Sequence, residues 1–389
     1  MASSQVRTPL RVVILAPPYV ELPPVRYGGT EAVCAGLADA LLERGHDVTV
    51  VGAGRRRISS RFVATRPEPQ PERMGQLMPE VLHAAAAARL LGEIRPDVVH
   101  DHTLAGLLSA GSRVAPTVAT MHAPMQGEML QLARAVAPTV RLVAISHSQR
   151  RQARELPWVG MVHNAVRVRD FPFLRSKQPY ALFMGRVCPE KGLPTAITAA
   201  RAAGIPLLIA AKCTEPTERE YFERRVRPAL GAGATWLGEV GGERKLQLLA
   251  GARCLLFPID WEEPFGMVLI EALACGTPVV ALRRGAVPEV VTHGLTGLLA
   301  EQPDQLPDLL HEVGRIDPGA CRAEAERRFD VARMAADYEA VYERVLERSA
   351  PVGRAARAPE GTAARHLRDR GAARPAPLEG RASPVGYPW

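Results

Sequence analysis

Two carboxylates, Glu263 and Glu271, flank the predicted start of a helix. The helix is predicted from about Phe265, with Pro264 in its first turn and Gly276 as its C-terminal glycine. A separation of eight residues is a little over two helical turns, so both carboxylates can face the same side. An ordinary amphipathic helix with two solvated glutamates has the same spacing, and the spacing alone does not choose between these interpretations.

The helix start between the two carboxylates is itself a candidate anion site. The first N–H groups of a helix have no partner within the helix, and the helix dipole favours negative charge there. A ligand with hydroxyl groups at its ends and phosphates in its middle would match this arrangement. Residues 277–282 are apolar and β-branched and predict a buried parallel strand, so the pair belongs to a strand–loop–helix–strand unit.

A second pair with chemical potential is Arg186 and Lys191, five residues apart on a loop that leads into a helix. A guanidinium offers a planar fork of donors and an ammonium offers a point charge, and together they suit a pyrophosphate. Two surface cations without a ligand are the alternative interpretation.

The region around the two carboxylates resembles the signature of the family 4 glycosyltransferases, which are retaining enzymes of the GT-B fold. The matching residues, 263–281, read EPFGMVLIEALACGTPVVA. By that resemblance Glu263 is catalytic and lies near the hydroxyl groups of the donor sugar, and Glu271 holds the ribose of a nucleotide diphosphate sugar. The resemblance also implies donor contacts from Phe265, Gly266, Met267 and Val268.

Four other segments resemble parts of the same family. Residues 185–192 match its pattern G-R-x-x-x-x-K-G, which implies a catalytic pyrophosphate clamp of Arg186 and Lys191. His122 follows a strand in the pattern T-x-H and takes the position of the active-site histidine. The remaining donor-binding residues by this comparison are Gly28 and Gly29 in a glycine-rich loop after the first strand and Val240 in a loop that flanks the nucleotide base. Lys212 is a further donor-binding candidate by its position, because it lies at a strand end that faces the same cleft.

Other cofactor chemistry is not expected. Residues 52–54 read Gly-Ala-Gly after the second strand but lack the third glycine of a dinucleotide-binding loop, which argues against a nicotinamide cofactor. The chain has no Asp-x-Asp pair for a divalent cation. Residues 97–102 hold several potential metal ligands, but neighbouring strand residues alternate in direction and cannot all converge on one ion. We therefore expect neither a metal nor a resident cofactor.

Composition narrows the class of protein. With 389 residues the chain is long enough for two domains, and no apolar run approaches the roughly 18 residues of a membrane span. The N-terminal apolar stretch is too short for a signal peptide. Six scattered cysteines without a C-x-x-C pair argue against a zinc site or a disulfide framework and favour a reducing cytoplasm.

The net charge of +8 is concentrated in two places. Residues 55–73 are predicted to form an irregular basic loop that contacts solvent, an anionic or lipid-linked acceptor, or weakly a membrane surface. Residues 351–389 are rich in Ala, Arg and Pro and are predicted to be disordered. Neither stretch has an interleaved aromatic platform or a nucleic-acid-binding motif, so no nucleic-acid partner is expected.

Strands and helices alternate along the chain, which predicts an α/β protein with two doubly wound, Rossmann-like domains facing across a cleft. Residues 1–165 are expected to bind the acceptor and residues 166–330 the nucleotide sugar, with a final helix at about 331–348 that packs back on the first domain. The expected reaction is retaining, metal-independent sugar transfer. A sugar-nucleotide epimerase, a phosphorylase on the same fold, and a non-catalytic nucleotide-sugar-binding subunit are the alternatives.

Overall fold

The computed structural model describes residues 8–26, 28–55, 57–231 and 233–349. The predicted disorder of residues 351–389 lies outside the described residues, as does Arg56 of the basic stretch. The strands are β1 Arg11–Leu15, β2 Asp47–Ala53, β3 Arg61–Arg66, β4 Val98–Asp101, β5 Thr117–Thr120, β6 Val140–Ala144, β7 Gly160–Met161, β8 Ala181–Arg186, β9 Leu207–Lys212, β10 Ala234–Gly238, β11 Cys254–Phe257, β12 Val279–Leu282 and β13 Gly297–Ala300. The α-helices are α1 Gly29–Glu43, α2 Leu77–Ile94, α3 Gly127–Val136, α4 His147–Gln152, α5 Leu193–Ala202, α6 Pro216–Tyr221, α7 Gly242–Gly251, α8 Met267–Ala274, α9 Val287–Val290, α10 Leu306–Glu312, α11 Pro318–Arg328 and α12 Val331–Ser349.

The first domain is built on a sheet of seven parallel strands in the order β3-β2-β1-β4-β5-β6-β7. After Arg11, β1 is a continuous apolar run, and its residues Val12–Leu15 have no exposed surface, as expected for a strand covered on both faces. The order reverses between β1 and β4, which are paired in register from Val12 opposite Val98. In such sheets ligands bind beside this reversal, at the carboxyl ends of the strands.

The second domain repeats this plan with six parallel strands in the order β10-β9-β8-β11-β12-β13. Here the order reverses between β8 and β11, so Arg186 at the end of β8 stands at the reversal point. The prediction of two doubly wound parallel-sheet domains is confirmed.

The last helix, α12, returns to the first domain and packs against α1. Its Tyr338 and Tyr342 are fully buried there, and their hydroxyl groups contact Thr120 Oγ1 and His100 Nδ1 at 2.7 Å each. The chain passes between the domains twice, and the two crossings lie side by side. There the backbone N–H of Val166 donates a hydrogen bond to the carbonyl of Phe329 at 2.9 Å.

Two local predictions are wrong. The stretch at 55–73 is not wholly irregular, because β3 pairs with β2 at the edge of the sheet. The strand was not predicted because its arginines interrupt the apolar alternation that indicates a strand. An edge strand tolerates charged side chains that face solvent. The helix after Glu263 begins at Met267 rather than Phe265, because Gly266 has a left-handed backbone with φ 86° and forms the N-cap, which leaves Pro264 outside the first turn.

Candidate active site

A cleft of about 710 Å³ opens between the carboxyl ends of the two sheets. Every residue that was predicted for the site lines it. From the first domain these are Gly28, Gly29 and His122, and from the second domain Arg186, Lys191, Lys212, Val240, Glu263, Phe265, Gly266, Met267, Val268 and Glu271. The structure therefore brings together residues that lie up to 243 positions apart, from 28 to 271.

The glycine-rich loop after β1 meets the second domain. Gly28 has φ 153°, and a β-carbon there would lie 2.8 Å from Pro24, so both the backbone and the space require glycine. Gly29 begins α1, and a β-carbon on it would touch Met267 of α8 at 3.5 Å. The starts of α1 and α8 therefore lie close together on opposite sides of the cleft.

His122 is the outermost of three neighbouring histidines at the ends of β4 and β5. Its Nε2 lies 2.8 Å from Nδ1 of His102, and the rings of His102 and His100 lie 4.1 Å apart between centroids, tilted by 36°. Burial lowers the pKa of His122 to about 4 and that of His100 to about 3, and it lowers the pKa of His102 well below the usual range. All three imidazoles are therefore neutral near neutral pH, and His122 can offer the cleft a hydrogen bond but not a charge.

Arg186 and Lys212 share a buried carboxylate, Glu218. Arg186 Nε donates to Glu218 at 2.9 Å, and Lys212 Nζ lies 3.2 Å from both oxygens of the same group. Burial opposes the ionisation of Glu218, but backbone N–H groups of Thr214 and Glu215, with Arg186, outweigh it and lower its pKa. This carboxylate holds both cations at the carboxyl ends of β8 and β9, where they line the cleft.

Lys191 reaches across the cleft floor to Glu263. Its Nζ lies 2.5 Å from Glu263 Oε2, which also accepts from the indole N–H of Trp261 at 3.0 Å. Lys191 ends a short 3₁₀ helix, and Gly192 follows with φ 68°. A β-carbon on Gly192 would collide with the carbonyl oxygen of Pro258, so this position requires glycine. The close approach of this turn to the end of β11 fixes where the ammonium group points.

Sequence reasoning missed Lys245. This residue lies in the first turns of α7, lines the cleft, and places its Nζ 2.6 Å from Glu271 Oε1 on α8. Nothing in the local sequence distinguishes it from the exposed Arg244 beside it, because the contact depends on how α7 and α8 pack.

Three further residues line the cleft, and of these only Arg57 lies in a stretch for which contact with the acceptor was predicted. Asn164 at the domain junction is buried, and its Oδ1 has no hydrogen-bond partner among the described residues. Arg57 and Arg26 line the first-domain side of the cleft and pair with Glu21 at 3.6 Å and Glu239 at 4.0 Å. The Arg26–Glu239 pair joins the two domains at the cleft mouth. Part of the basic stretch, Arg57, thus belongs to the cleft.

The charged groups of the cleft suit a polyanionic ligand that also carries hydroxyl groups. Six basic residues line it, together with three carboxylates, Glu239, Glu263 and Glu271. Within the described part of the chain, no group of three His, Cys, Asp or Glu side chains is placed to hold a metal ion. No helix in this part of the chain is both long enough and apolar enough to cross a membrane.

Both halves of the chain match known protein families. Residues 27–169 match the family described as Glycosyltransferase Family 4, and residues 167–314 match Glycosyl transferases group 1. The chain is 28% identical to a glycogen synthase of Mycobacterium tuberculosis over 81% of its own length and 88% of that protein's. It is 26% identical to a phosphatidyl-myo-inositol mannosyltransferase of Propionibacterium freudenreichii, over 70% and 78%.

Solved structures show the same arrangement. AviGT4, a glycosyltransferase involved in avilamycin A biosynthesis, superposes with a TM-score of 0.65 at 27% identity, over 87% of this chain and 98% of that one. HepE of Anabaena, whose crystal holds UDP-glucose, superposes with a TM-score of 0.65 at 18% identity, over 87% and 100%, which is a likeness of fold alone.

Proposed function

This chain belongs to the family 4 glycosyltransferases, and we propose that it moves a sugar from a nucleotide diphosphate sugar to an acceptor, with retention at the anomeric carbon. It is an enzyme of the GT-B fold with two parallel-sheet domains. The identity of the donor as a nucleotide sugar, the stereochemistry and the independence of metal are parts of the proposal.

One observation carries the proposal: both carboxylates of the motif open onto the same cleft as Arg186 and Lys191. In the proposed complex the diphosphate lies against Arg186 and Lys191, the ribose against Glu271, and the sugar against Glu263. The crystal of HepE with UDP-glucose supports a donor of this class for the fold.

Departure of the diphosphate builds negative charge on the oxygen that leaves the anomeric carbon. Arg186 and Lys191 stabilise that charge best in a cleft with little water, because their charged groups are oriented before the reaction begins. Glu218 and Glu263 hold the two cations in place before the donor arrives.

Glu263 is better suited to hold a sugar hydroxyl than to act as a nucleophile. One of its oxygens already accepts hydrogen bonds from both Lys191 and Trp261, which occupies that oxygen and fixes the direction of the carboxylate. The acceptor hydroxyl then attacks from the face on which the diphosphate departs, and neutral His122 supports the donor sugar through a hydrogen bond.

The acceptor side of the cleft carries Arg57 and Arg26, which favours an anionic acceptor such as a phosphate-bearing or lipid-linked molecule. Both arginines are largely exposed, so their attraction is screened by salt. The Michaelis constant for the acceptor should therefore rise with salt more than that for the donor.

We also propose that no divalent cation takes part. The fixed cations and the starts of α1 and α8 supply the positive charge that a metal would otherwise supply. Turnover should survive an excess of EDTA and should not increase when Mg²⁺ or Mn²⁺ is added. Loss of turnover in EDTA that either ion restores would contradict this part of the proposal.

The donor can be found by thermal shift with UDP-, GDP-, TDP- and ADP-sugars. A donor at about 100 times its dissociation constant adds roughly 2.7 kcal/mol to the free energy of unfolding. Product analysis with that donor then separates the alternatives: an epimerase isomerises the donor, a phosphorylase needs phosphate, and a binding subunit gives no turnover. Failure of every nucleotide sugar to stabilise the chain would contradict the proposal itself.

A further inference from the structure

The outward face of α2 is apolar in its first two turns. Leu77, Met78, Val81 and Leu82 are 70%, 52%, 39% and 54% exposed. Residues four positions apart lie on the same side of a helix, as Leu77 and Val81 do, and Met78 and Leu82. These four side chains therefore form a continuous stripe. A helix on the surface of a soluble domain ordinarily shows the opposite pattern.

The inner face of α2 carries buried polar groups in its first two turns and apolar residues, Ala87 and Leu91, further on, and both sets fix the rotation of the helix. Glu80 is buried and accepts from the backbone N–H groups of Leu104 and Ala105 at 2.9 Å each. His83 is also buried, and its Nδ1 lies 2.7 Å from Thr65 Oγ1. Turning the helix to bury its leucines would break these contacts, so the apolar stripe is held towards solvent.

A second segment widens the stripe. The 3₁₀ helix Ala105–Ser112 packs on α2, and its neighbour Leu104 and its own Leu108 are 42% and 71% exposed. We call the combined surface the apolar face; its members are Leu77, Met78, Val81, Leu82, Leu104 and Leu108. These six are half of the twelve exposed large hydrophobic residues among the described residues, gathered in one place.

Positive charge borders the apolar face at the start of α2. The guanidinium of Arg73 donates to Gln76 at 2.8 Å and to Gln70 at 3.1 Å, and that of Arg66 also donates to Gln70. Because these partners are neutral amides, they orient the arginines without cancelling their charge. The described basic residues of the segment, Arg55, Arg57, Arg61, Arg66 and Arg73, outnumber its acidic ones, Glu68 and Glu72.

The apolar face also adjoins the acceptor side of the cleft. Met74 lines the cleft, and Leu77 follows it by three residues. A surface that covers the apolar face would therefore lie next to the first-domain wall of the cleft.

We propose that the apolar face, with Arg66 and Arg73 at its edge, docks onto an anionic lipid bilayer. Leucine and methionine side chains enter the boundary between headgroups and acyl chains, while flanking arginines meet the anionic headgroups. A second copy of the chain fits less well, because a two-fold contact through this face brings its bordering arginines towards each other. The proposal does not depend on the reaction, since it concerns a binding surface outside the cleft.

The test is sedimentation of the full chain with vesicles made of equal parts phosphatidylcholine and phosphatidylglycerol. The wild type should bind these vesicles, should bind phosphatidylcholine vesicles more weakly, and should be released by salt. The triple variant Leu77→Ser, Leu82→Ser, Leu108→Ser should bind at least about tenfold more weakly, because it loses most of the inserted apolar surface. Leu295→Ser, at a 46% exposed leucine of the second domain, should bind as the wild type does.

Three results would overturn the proposal: no binding of the wild type to anionic vesicles, equal binding by the triple variant, or a wild-type dimer by light scattering that the triple variant converts to a monomer. The last result would assign the face to a second copy. An unchanged melting temperature of the triple variant shows that it is folded. Donor stabilisation tests the proposed reaction separately, so the two proposals can fail independently.

Discussion

Every basic residue that lines the cleft already has a carboxylate partner within 4.0 Å. The pairs are Arg26 with Glu239, Arg57 with Glu21, Arg186 with Glu218, Lys191 with Glu263, Lys212 with Glu215, and Lys245 with Glu271. Such pairing keeps side chains in position in the absence of a ligand. A bound diphosphate must compete with these carboxylates for the cleft cations. This favours donors that also carry hydroxyl groups, because hydroxyl groups can donate hydrogen bonds to the displaced carboxylates.

Lys245 gives the clearest prediction at this scale. Its replacement in Lys245→Ala should raise the Michaelis constant for the donor by roughly tenfold, the loss expected for one hydrogen bond to a charged group, with a small effect on kcat. The reason is that Glu271 loses the contact at 2.6 Å that orients it. Affinity for the nucleoside diphosphate alone, measured by calorimetry, should fall by the same factor.

The matched control is Arg244→Ala, at the exposed neighbour of Lys245 on α7. It should leave both constants unchanged. If both variants behave alike, or if only kcat falls in Lys245→Ala, then Lys245 does not act on the nucleotide end of the donor.

The site residues differ in how far the sequence could reveal them. Glu263, Glu271 and the residues between them form one continuous motif, so their arrival in one cleft could be predicted. Lys245 could not, because its importance depends on a contact between two helices. The apolar face escaped notice for a related reason: the apolar residues of α2 predict a helix, but not which side of it is buried.

Helix α12 ties the end of the described chain to the first domain. Glu339 on α12 receives two hydrogen bonds from Arg44 at 2.6 Å and lies 2.8 Å from His46 Nε2. Burial opposes ionisation of Glu339, but these partners outweigh it and lower its pKa to about 2. The carboxylate therefore joins α12 to the end of α1.

Glu339→Ala should lower the free energy of unfolding by about 2 kcal/mol. This is less than a fully buried pair would lose, because Arg44 is partly exposed and can return to water. Urea unfolding measures it, with Glu347→Ala as the control at an exposed position of the same helix. Equal stability of the two variants would show that the contact contributes nothing.

Sequence patterns located most elements but not their ends. The strand after β2 was missed because its pattern is arginine-rich, and the start of α8 was misplaced because proline marks helix starts only on average. The left-handed turn at Gly266 decided that boundary, and a single sequence does not state whether a glycine will use its freedom to adopt it.

Buried neutral histidines of the first domain make the fold sensitive to acid. His83, His100 and His122 have pKa values of about 4, 3 and 4, below the ordinary 6.5, because burial disfavours their charged forms. Between 6.5 and about 4 the unfolded chain binds more protons on these groups than the folded chain does, so stability falls as pH falls. Glu31 acts in the opposite direction, since burial raises its pKa to about 7, but it is one group against several.

We therefore expect the melting temperature to fall by roughly 5 °C between about pH 7 and about pH 5. His83→Gln should make the melting temperature depend less on pH, because it removes one of the buried histidines. His83 does not line the cleft, so the site is left intact. The control is His311→Gln, at an exposed histidine. A melting temperature that does not change over this range would contradict the account of the histidine cluster.

We propose that Arg186 and Lys191 stabilise a departing nucleoside diphosphate during transfer to an acceptor. The most direct measurement is the rate of nucleoside diphosphate release with the identified donor and acceptor, in the wild type, Arg186→Ala and Lys191→Ala. Arg225→Ala, an exposed arginine of the same domain, is the control. We predict acceptor-dependent release with a product of retained anomeric configuration, a loss of roughly 10²-fold or more in each clamp variant, and none in the control. Near-normal release by both clamp variants would contradict the claim.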